Sequence, residues 1–349
     1  MSFEYICCRT KSNMTDIKEN VSLKPYNTFG IDVKARYFFR ANNQEELRFV
    51  LENHRDCFPF MIMGGGSNIL FTRDFNGLIV QPDLKGISIL ENDSEHCRVE
   101  VGAGVNWDDF VSWSVENNLG GIENLSLIPG SSGSSPIQNI GAYGAEAKDV
   151  IKNVKYLDLE SFETVIISNP DCKFGYRDSI FKTQLKNRVV ITSVVFILSH
   201  NPEFNIKYGN LQKEIEKRGV LTLKTVRDAV INIRRSKLPD PKSLGNAGSF
   251  FKNPVVEKDI VNKLKKQNEF MPVFPVSEEQ AKISAGWLIE QCGWKGKRTG
   301  NAGVYDKQAL ILVNHGNASG AEIYDLAMKI SDSVFERFGI KLETEVNIV

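Results

Sequence analysis

Apolar and polar positions change period repeatedly along the 349-residue chain. That pattern interleaves strands and helices rather than segregating them. Asn43 followed three residues later by Glu46 has the form of a capping box, and Leu47, Val50 and Leu51 give the helix behind it an apolar stripe. The runs FPFMIM (58–63) and GLIVQ (77–81) read as buried strands around a glycine loop. A strand at Arg98 to Val101 runs into Gly102-Ala103-Gly104, and Trp107, Phe110, Val111 and Val115 then repeat at helical spacing. Val189 to Leu198 is a β-branched run long enough for a buried strand.

TVRDAVINIRRSKLPDP (225–241) predicts a helix that stops before Pro239, with Arg234 and Lys237 near its carboxyl end. The texture then changes to a loop GNAGSFFKNP (245–254), a proline-rich connector EFMPVFPV (269–276) and a helix through Trp287, Leu288 and Cys292. A separate domain is expected there. Ile323, Leu326, Ala327, Ile330, Val334 and Phe338 share one helical face, with Gly339 placed as the stop. The last ten residues alternate as a strand, with Ile340, Leu342, Val346 and Ile348 on one side and Glu343, Glu345 and Asn347 on the other.

Composition narrows the classes. Lys+Arg and Asp+Glu balance at 43 each, so charge gives no argument for nucleic acid or an acidic membrane as partner. Cys7, Cys8, Cys57, Cys97, Cys172 and Cys292 form no Cys-x-x-Cys pair and no metal-ligand spacing, so no metal is expected and the thiols read as small apolar residues in a reducing, cytoplasmic setting. The patch Phe3 to Cys8 lacks the basic leader of a signal peptide, and no run approaches a membrane span.

Two loops are rich in small residues: Gly64-Gly65-Gly66-Ser67-Asn68 and the stretch from Ile128 to Gly144. Glycine lets backbone amides approach and nest an anion such as a phosphate. Neither loop is a P-loop, because no Gly-Lys-Ser/Thr follows, and Ile69 stands where a Rossmann fingerprint needs its third glycine. By itself GGGS is an ordinary turn. The second loop, with Pro136, Ile137, Gln138, Ile140 and Tyr143, is too apolar for a spacer. Ser249 sits in a glycine turn, and none of the four histidines (His54, His96, His200, His315) is near it in sequence to act as the base a serine nucleophile needs.

YNTFGID (26–32), MGGGSNIL (63–70), IENLSLIPGSSGSSPIQNIGAYG (122–144), FGYRDSIFK (174–182), IRRSKLPDP (233–241) and GNAGSFFKNP occur in this order. Together they closely resemble the UDP-N-acetylenolpyruvoylglucosamine reductases, flavoenzymes that complete UDP-N-acetylmuramate for peptidoglycan. The resemblance implies an α+β architecture: a two-subdomain FAD-binding fold of the vanillyl-alcohol-oxidase/PCMH kind followed by a C-terminal α+β domain for the UDP-sugar. The implied spans are a flexible extension at 1–20, FAD-binding subdomains at 21–88 and 89–236, and the substrate domain at 237–349.

The implied cofactor is non-covalent FAD, with NADPH as co-substrate. The implied FAD contacts are Tyr26, Asn27 and Thr28; Gly64, Gly65, Gly66, Ser67, Asn68 and Ile69; Pro129, Gly130, Ser131, Ser132, Gly133, Ser135, Pro136, Gln138, Asn139, Gly141, Ala142 and Tyr143; and Arg234. Ser249 becomes a proton donor to a carbon made basic by hydride addition, which needs no histidine. Arg177 becomes the clamp on the substrate carboxylate, a bidentate geometry suited to guanidinium, and Glu345 completes the catalytic set. Tyr176, Tyr208, Lys237, Asn253 and Gln308 are implied substrate contacts, Tyr208 as the capping residue of one subtype of the family. With no dinucleotide fingerprint, NADPH is expected to share the substrate's space in ping-pong fashion, in a monomer or weak dimer.

Two other readings stay open on sequence. A flavin oxidase of the same superfamily keeps the fold, although the glycine loops hold no histidine for a covalent flavin link. A non-catalytic sugar-nucleotide binder would use the Ser249 loop only as a phosphate turn.

Overall fold

The computed structural model describes residues 16–349. In chain order the first elements are β1 (Lys18–Ser22), β2 (Lys34–Ala41), α1 (Gln44–His54), β3 (Phe60–Ile62), β4 (Ile69–Leu70), β5 (Phe75–Pro82), β6 (Ile87–Asn92), β7 (His96–Gly102) and α2 (Trp107–Glu116). The middle of the chain adds β8 (Gly141–Ala142), β9 (Ala145–Glu146), β10 (Ile151–Asp158), β11 (Thr164–Ser168), β12 (Val189–Ser199), α3 (Leu211–Glu216) and α4 (Leu223–Lys237). There follow β13 (Val255–Glu257), α5 (Lys258–Lys265), β14 (Val273–Pro275), β15 (Gln280–Ile283), α6 (Ala285–Gln291), β16 (Arg298–Thr299), β17 (Ala302–Val304), β18 (Leu312–Asn314), α7 (Gly320–Phe338) and β19 (Asn347–Ile348).

The chain folds into two compact units. The first, formed among the described residues by 16–21, 35–65 and 76–236, holds a sheet of order β1-β2-β5-β3 and a five-stranded sheet of order β11-β10-β12-β7-β6. Strand β12 lies mid-sheet, antiparallel to both β10 and β7. Its near-continuous burial reflects apolar packing on both faces: Val194, Phe196 and Leu198 join Trp107 and Phe110 of α2, whereas Val190 joins Leu47 of α1. The Phe110 and Phe196 rings lie 4.9 Å apart. Helix α1 starts as its sequence predicts, with the Asn43 side chain accepting from Glu46 N–H. Helix α4 buries Leu223, Val226, Ala229, Val230 and Ile233.

The second unit comprises residues 22–34, 66–75 and 237–349. Its interior includes Phe29, Phe250, Phe251, Leu288, Ile311, Ile323 and Val334, all nearly inaccessible. Each such side chain contributes about 1.5–3 kcal/mol of transfer free energy. Helix α7 opens with a capping box between Ser319 and Glu322 and closes at Gly339, whose φ of 68° is the left-handed conformation that glycine adopts without strain.

The division differs from the sequential spans expected. Residues 22–34 and 66–75 cluster with the C-terminal segment, so the span 21–88 is split between units. Strand β1 begins at Lys18, inside the stretch expected to be a flexible extension. Residues 1–15 lie outside the described residues, and with them Cys7, Cys8 and the Phe3 to Cys8 patch. The connector 269–276 contains β14, paired with β15 through Phe274 and Lys282. The helix through Trp287 ends at Gln291, with Cys292 as its cap. The terminal alternation holds for the burial of Ile340, Leu342 and Val346, but Ile348 is exposed and only Asn347–Ile348 form a strand, parallel to β4. Among the described residues no helix is long and apolar enough to cross a membrane.

Candidate FAD and substrate site

In the first unit the two glycine-rich loops meet backbone to backbone. A Cβ on Gly65 would lie 3.4 Å from Gly130 Cα, and one on Gly64 would lie 3.1 Å from Ser131 Oγ. The second loop is anchored to the start of α2: Trp107 N–H donates to the Gly130 carbonyl (3.1 Å), and Ser132 N–H donates to that of Val105 (2.8 Å). Ser131 and Ser134 cap a single 3-10 turn at Ser132–Ser134, whose N–H groups bond to the Val105, Ala103 and Ser131 carbonyls and so fix the course of the loop.

Arg234, on α4, is largely enclosed by its neighbours and keeps some accessible surface. Its Nε has no hydrogen-bond partner. Burial lowers its pKa, Tyr143 and Asp108 oppose that, and the like charge of Arg177 adds to it. Arg177 itself has φ of 54°, and its Nη2 donates to the Gly141 carbonyl at 2.8 Å. The loop from 128 to 144, Arg177 and α4 therefore converge. Tyr208 is half exposed and sets its ring 6.3 Å from that of Tyr143, edge to face. Burial pushes the Tyr143 hydroxyl pKa up. Tyr176 is also partly exposed, with the Arg177 guanidinium 5.7 Å from its ring centre.

In the second unit Ser249 follows Gly248, whose φ is 70°. The turn is held by Asn246, whose N–H donates to Thr28 and whose side chain accepts from Gly248 N–H at 3.0 Å. Phe250 then ties to Leu310 on one side and Glu345 on the other by main-chain hydrogen bonds of 2.8 Å. The Ser249 hydroxyl is exposed and makes no hydrogen bond within the described residues. Glu345, far away in sequence, thus comes to a segment adjacent to Ser249. Asn253 accepts from Ala285 N–H at 2.9 Å, and a Cβ on Gly286 would lie 3.0 Å from Gln308 Oε1, which gathers both side chains at the start of α6. Lys237 is exposed.

The residues present fit a bound FAD. In the first unit, besides Arg234 Nε, the buried hydroxyl of Ser132 has no partner, although buried polar groups normally find one. Gly66, at φ 62°, brings its backbone against the Tyr26 carbonyl with no room for a Cβ. Two residues expected to contact FAD turn their side chains inward instead. Asn27 spends its amide on the Leu23 and Ile31 carbonyls and accepts from Ile31 N–H. Asn139 bonds Glu146, the Gly175 carbonyl and Lys148 N–H. The Ser135 hydroxyl likewise donates to the Ser132 carbonyl, so all three side chains are already engaged within the protein.

Sequence reasoning missed Asp108 and Arg227, which tie the second loop to α4. Their partners lie 19 and 119 residues apart in sequence, so no local pattern marks them.

Residues 35–161 match the FAD binding domain family, and residues 240–349 match the C-terminal domain of UDP-N-acetylenolpyruvoylglucosamine reductase. The UDP-N-acetylenolpyruvoylglucosamine reductase of Flavobacterium johnsoniae is 49% identical over 96% of this chain and 100% of its own length. That of Pseudomonas putida is 48% identical over 95% and 98%. A crystal structure of the Thermus caldophilus reductase shares the fold, with TM-score 0.66 at 23% identity over 96% of this chain and 99% of that one. So does 4-ethylphenol oxidase from Gulosibacter chungangensis, with TM-score 0.52 at 10% identity over 94% and 84%.

The fold and site are those of an FAD-dependent oxidoreductase, α+β, with a two-part FAD-binding region and a C-terminal α+β domain. The glycine loops and the C-terminal match specify it further. The chain belongs to the UDP-N-acetylenolpyruvoylglucosamine reductase family.

Proposed function

We propose that this chain reduces the enolpyruvyl group of UDP-N-acetylglucosamine enolpyruvate to UDP-N-acetylmuramate in the cytoplasm, with NADPH as electron donor and Ser249 as proton donor. The observation that carries the reading is the Ser249 hydroxyl, exposed, without a protein partner, and held on a turn braced by Asn246 and Phe250. FAD, when bound, supplies hydride to the terminal carbon of the enol ether. Charge then builds on the adjoining carbon and its carboxylate. Arg177 grips that carboxylate and lowers the energy of the charge, and Ser249 delivers the proton that ends the step. Glu345 assists beside Ser249. Lys237, Asn253 and Gln308 bind the diphosphate and sugar, and Tyr208 caps the substrate.

NADPH and the sugar nucleotide occupy overlapping space in turn. Initial-rate measurements test this: NADPH consumption must depend strictly on the enolpyruvyl sugar nucleotide, with parallel double-reciprocal lines and inhibition at high concentration of either. Consumption with oxygen alone would favour an oxidase, and a colourless protein that binds the sugar nucleotide without turnover would favour a simple binder.

A further inference from the structure

We infer that Asp108 and Arg227 are a positioning pair that fixes the second glycine-rich loop and the Arg234 guanidinium in one geometry for the flavin. Asp108 Oδ1 accepts from Arg227 Nη1 at 2.7 Å and from Leu127 N–H at 2.6 Å, while Oδ2 accepts from Arg227 Nη2 at 3.1 Å. One carboxylate therefore holds the entrance of the loop and, through a two-pronged guanidinium bond, helix α4. The pair is mostly shielded, the Arg227 side chain being 13% exposed and that of Asp108 25%. Geometry and shielding separate it from the exposed ion pairs that contribute little.

What it fixes follows from the helix repeat. Arg227 and Arg234 are seven residues apart on α4, two turns along, so they share a face. Rotation or slippage of α4 at Arg227 would be transmitted to Arg234. At the other end Leu127 has φ of 59°, a left-handed conformation costly for leucine, and its N–H is the donor that Asp108 accepts. Trp107, one residue before Asp108, bonds the Leu125 carbonyl through Nε1 at 2.9 Å and the Gly130 carbonyl through its N–H. The first turn of α2 thus frames the loop from 125 to 132, and Asp108 extends that frame to α4. Neither Asp108 nor Arg227 is a catalytic residue; both act through Arg234 and the loop.

The inference rests on the FAD reading of the loop, and its test separates the two. Wild-type protein, Asp108→Asn and Arg227→Lys are stripped of flavin, then titrated with FAD by fluorescence while visible spectra and apo-protein melting temperatures are recorded. Asn keeps the shape but loses the charge; Lys keeps the charge but loses the fork. Each variant is expected to bind FAD roughly tenfold more weakly, as loss of a charge-assisted pair implies. Each should also shift the bound-flavin absorption bands, because the loop and Arg234 move relative to the bound cofactor, and this change is read separately from the fall in apo melting that loss of the pair itself brings. Wild-type affinity and spectrum in both variants, or a lower apo melting temperature with both unchanged, would overturn the inference. If Asp108→Asn does not fold, Arg227→Lys decides by the same criteria. A wild-type protein that takes up no FAD overturns the cofactor reading itself.

Discussion

The carbonyl oxygen of Tyr26 occupies the space that a Cβ on Gly66 would need, and Gly66 is itself in the left-handed region at φ 62°. Gly66→Ala therefore combines conformational strain with backbone overlap. The strain alone costs roughly 1–2 kcal/mol. Gly30, at φ 67° with open space around its Cβ position, isolates that first part. Chemical denaturation should show Gly66→Ala destabilised by clearly more than Gly30→Ala, with flavin lost from the former only. Equal losses would mean that the Tyr26 contact relaxes freely.

Ser249→Ala should separate the half-reactions. Rapid-mixing absorbance is expected to show bleaching by NADPH at the wild-type rate, with recovery by the enolpyruvyl substrate slowed by about 10²–10⁴-fold, the usual range for loss of a positioned proton donor. Equal slowing of both halves would point to a damaged flavin site instead.

Arg234 is an enclosed cation whose Nε has no partner, so it burdens the apo-protein. Arg234→Met is expected to leave apo stability unchanged or raise it by about 1 kcal/mol, as for other buried ionic groups replaced by apolar ones, while FAD affinity falls. Thermal melts with and without FAD check both effects. A less stable apo variant would show that Arg234 has a structural role.

Acid should expose Asp108. Burial raises its pKa, but the Arg227 and Leu127 hydrogen bonds and the Arg227 and Arg234 charges bring it below the usual carboxylate range. A lowered folded pKa adds stability above the unfolded value, and that stability is lost as pH falls through the folded one. The melting temperature of wild-type apo-protein should therefore fall more steeply than that of Asp108→Asn below the usual carboxylate pKa. Parallel curves would remove Asp108 from the acid limb.

Thiol chemistry should follow burial. Desolvation, with Asp171 nearby, pushes the Cys172 pKa up to about 12, and Cys97 is buried and raised as well. In the native state alkylation mapped by mass spectrometry should reach Cys57 before Cys97 or Cys172, because the thiolate is the reactive form. Early modification of Cys172 would contradict its enclosure.

The sequence by itself determined the elements whose causes are local. The Asn43 cap, the stripe of α1, the stop at Gly339 and the apolar run of β12 all rest on residues within a turn or a strand of one another, and all formed where expected. The ordered motifs also pointed to FAD and to the family. Tertiary structure decided what depends on distant partners. It turned the Asn27 and Asn139 amides inward, because nearby carbonyls and N–H groups needed partners that no pattern announces. It confined the terminal strand to the two residues that β4 can pair. It joined Asp108 to Arg227 across 119 residues. Hydrogen-bond satisfaction in a packed interior is a property of the whole fold, so the sequence could put Arg234 near the carboxyl end of α4 but could not name the carboxylate that ties that helix to the loop.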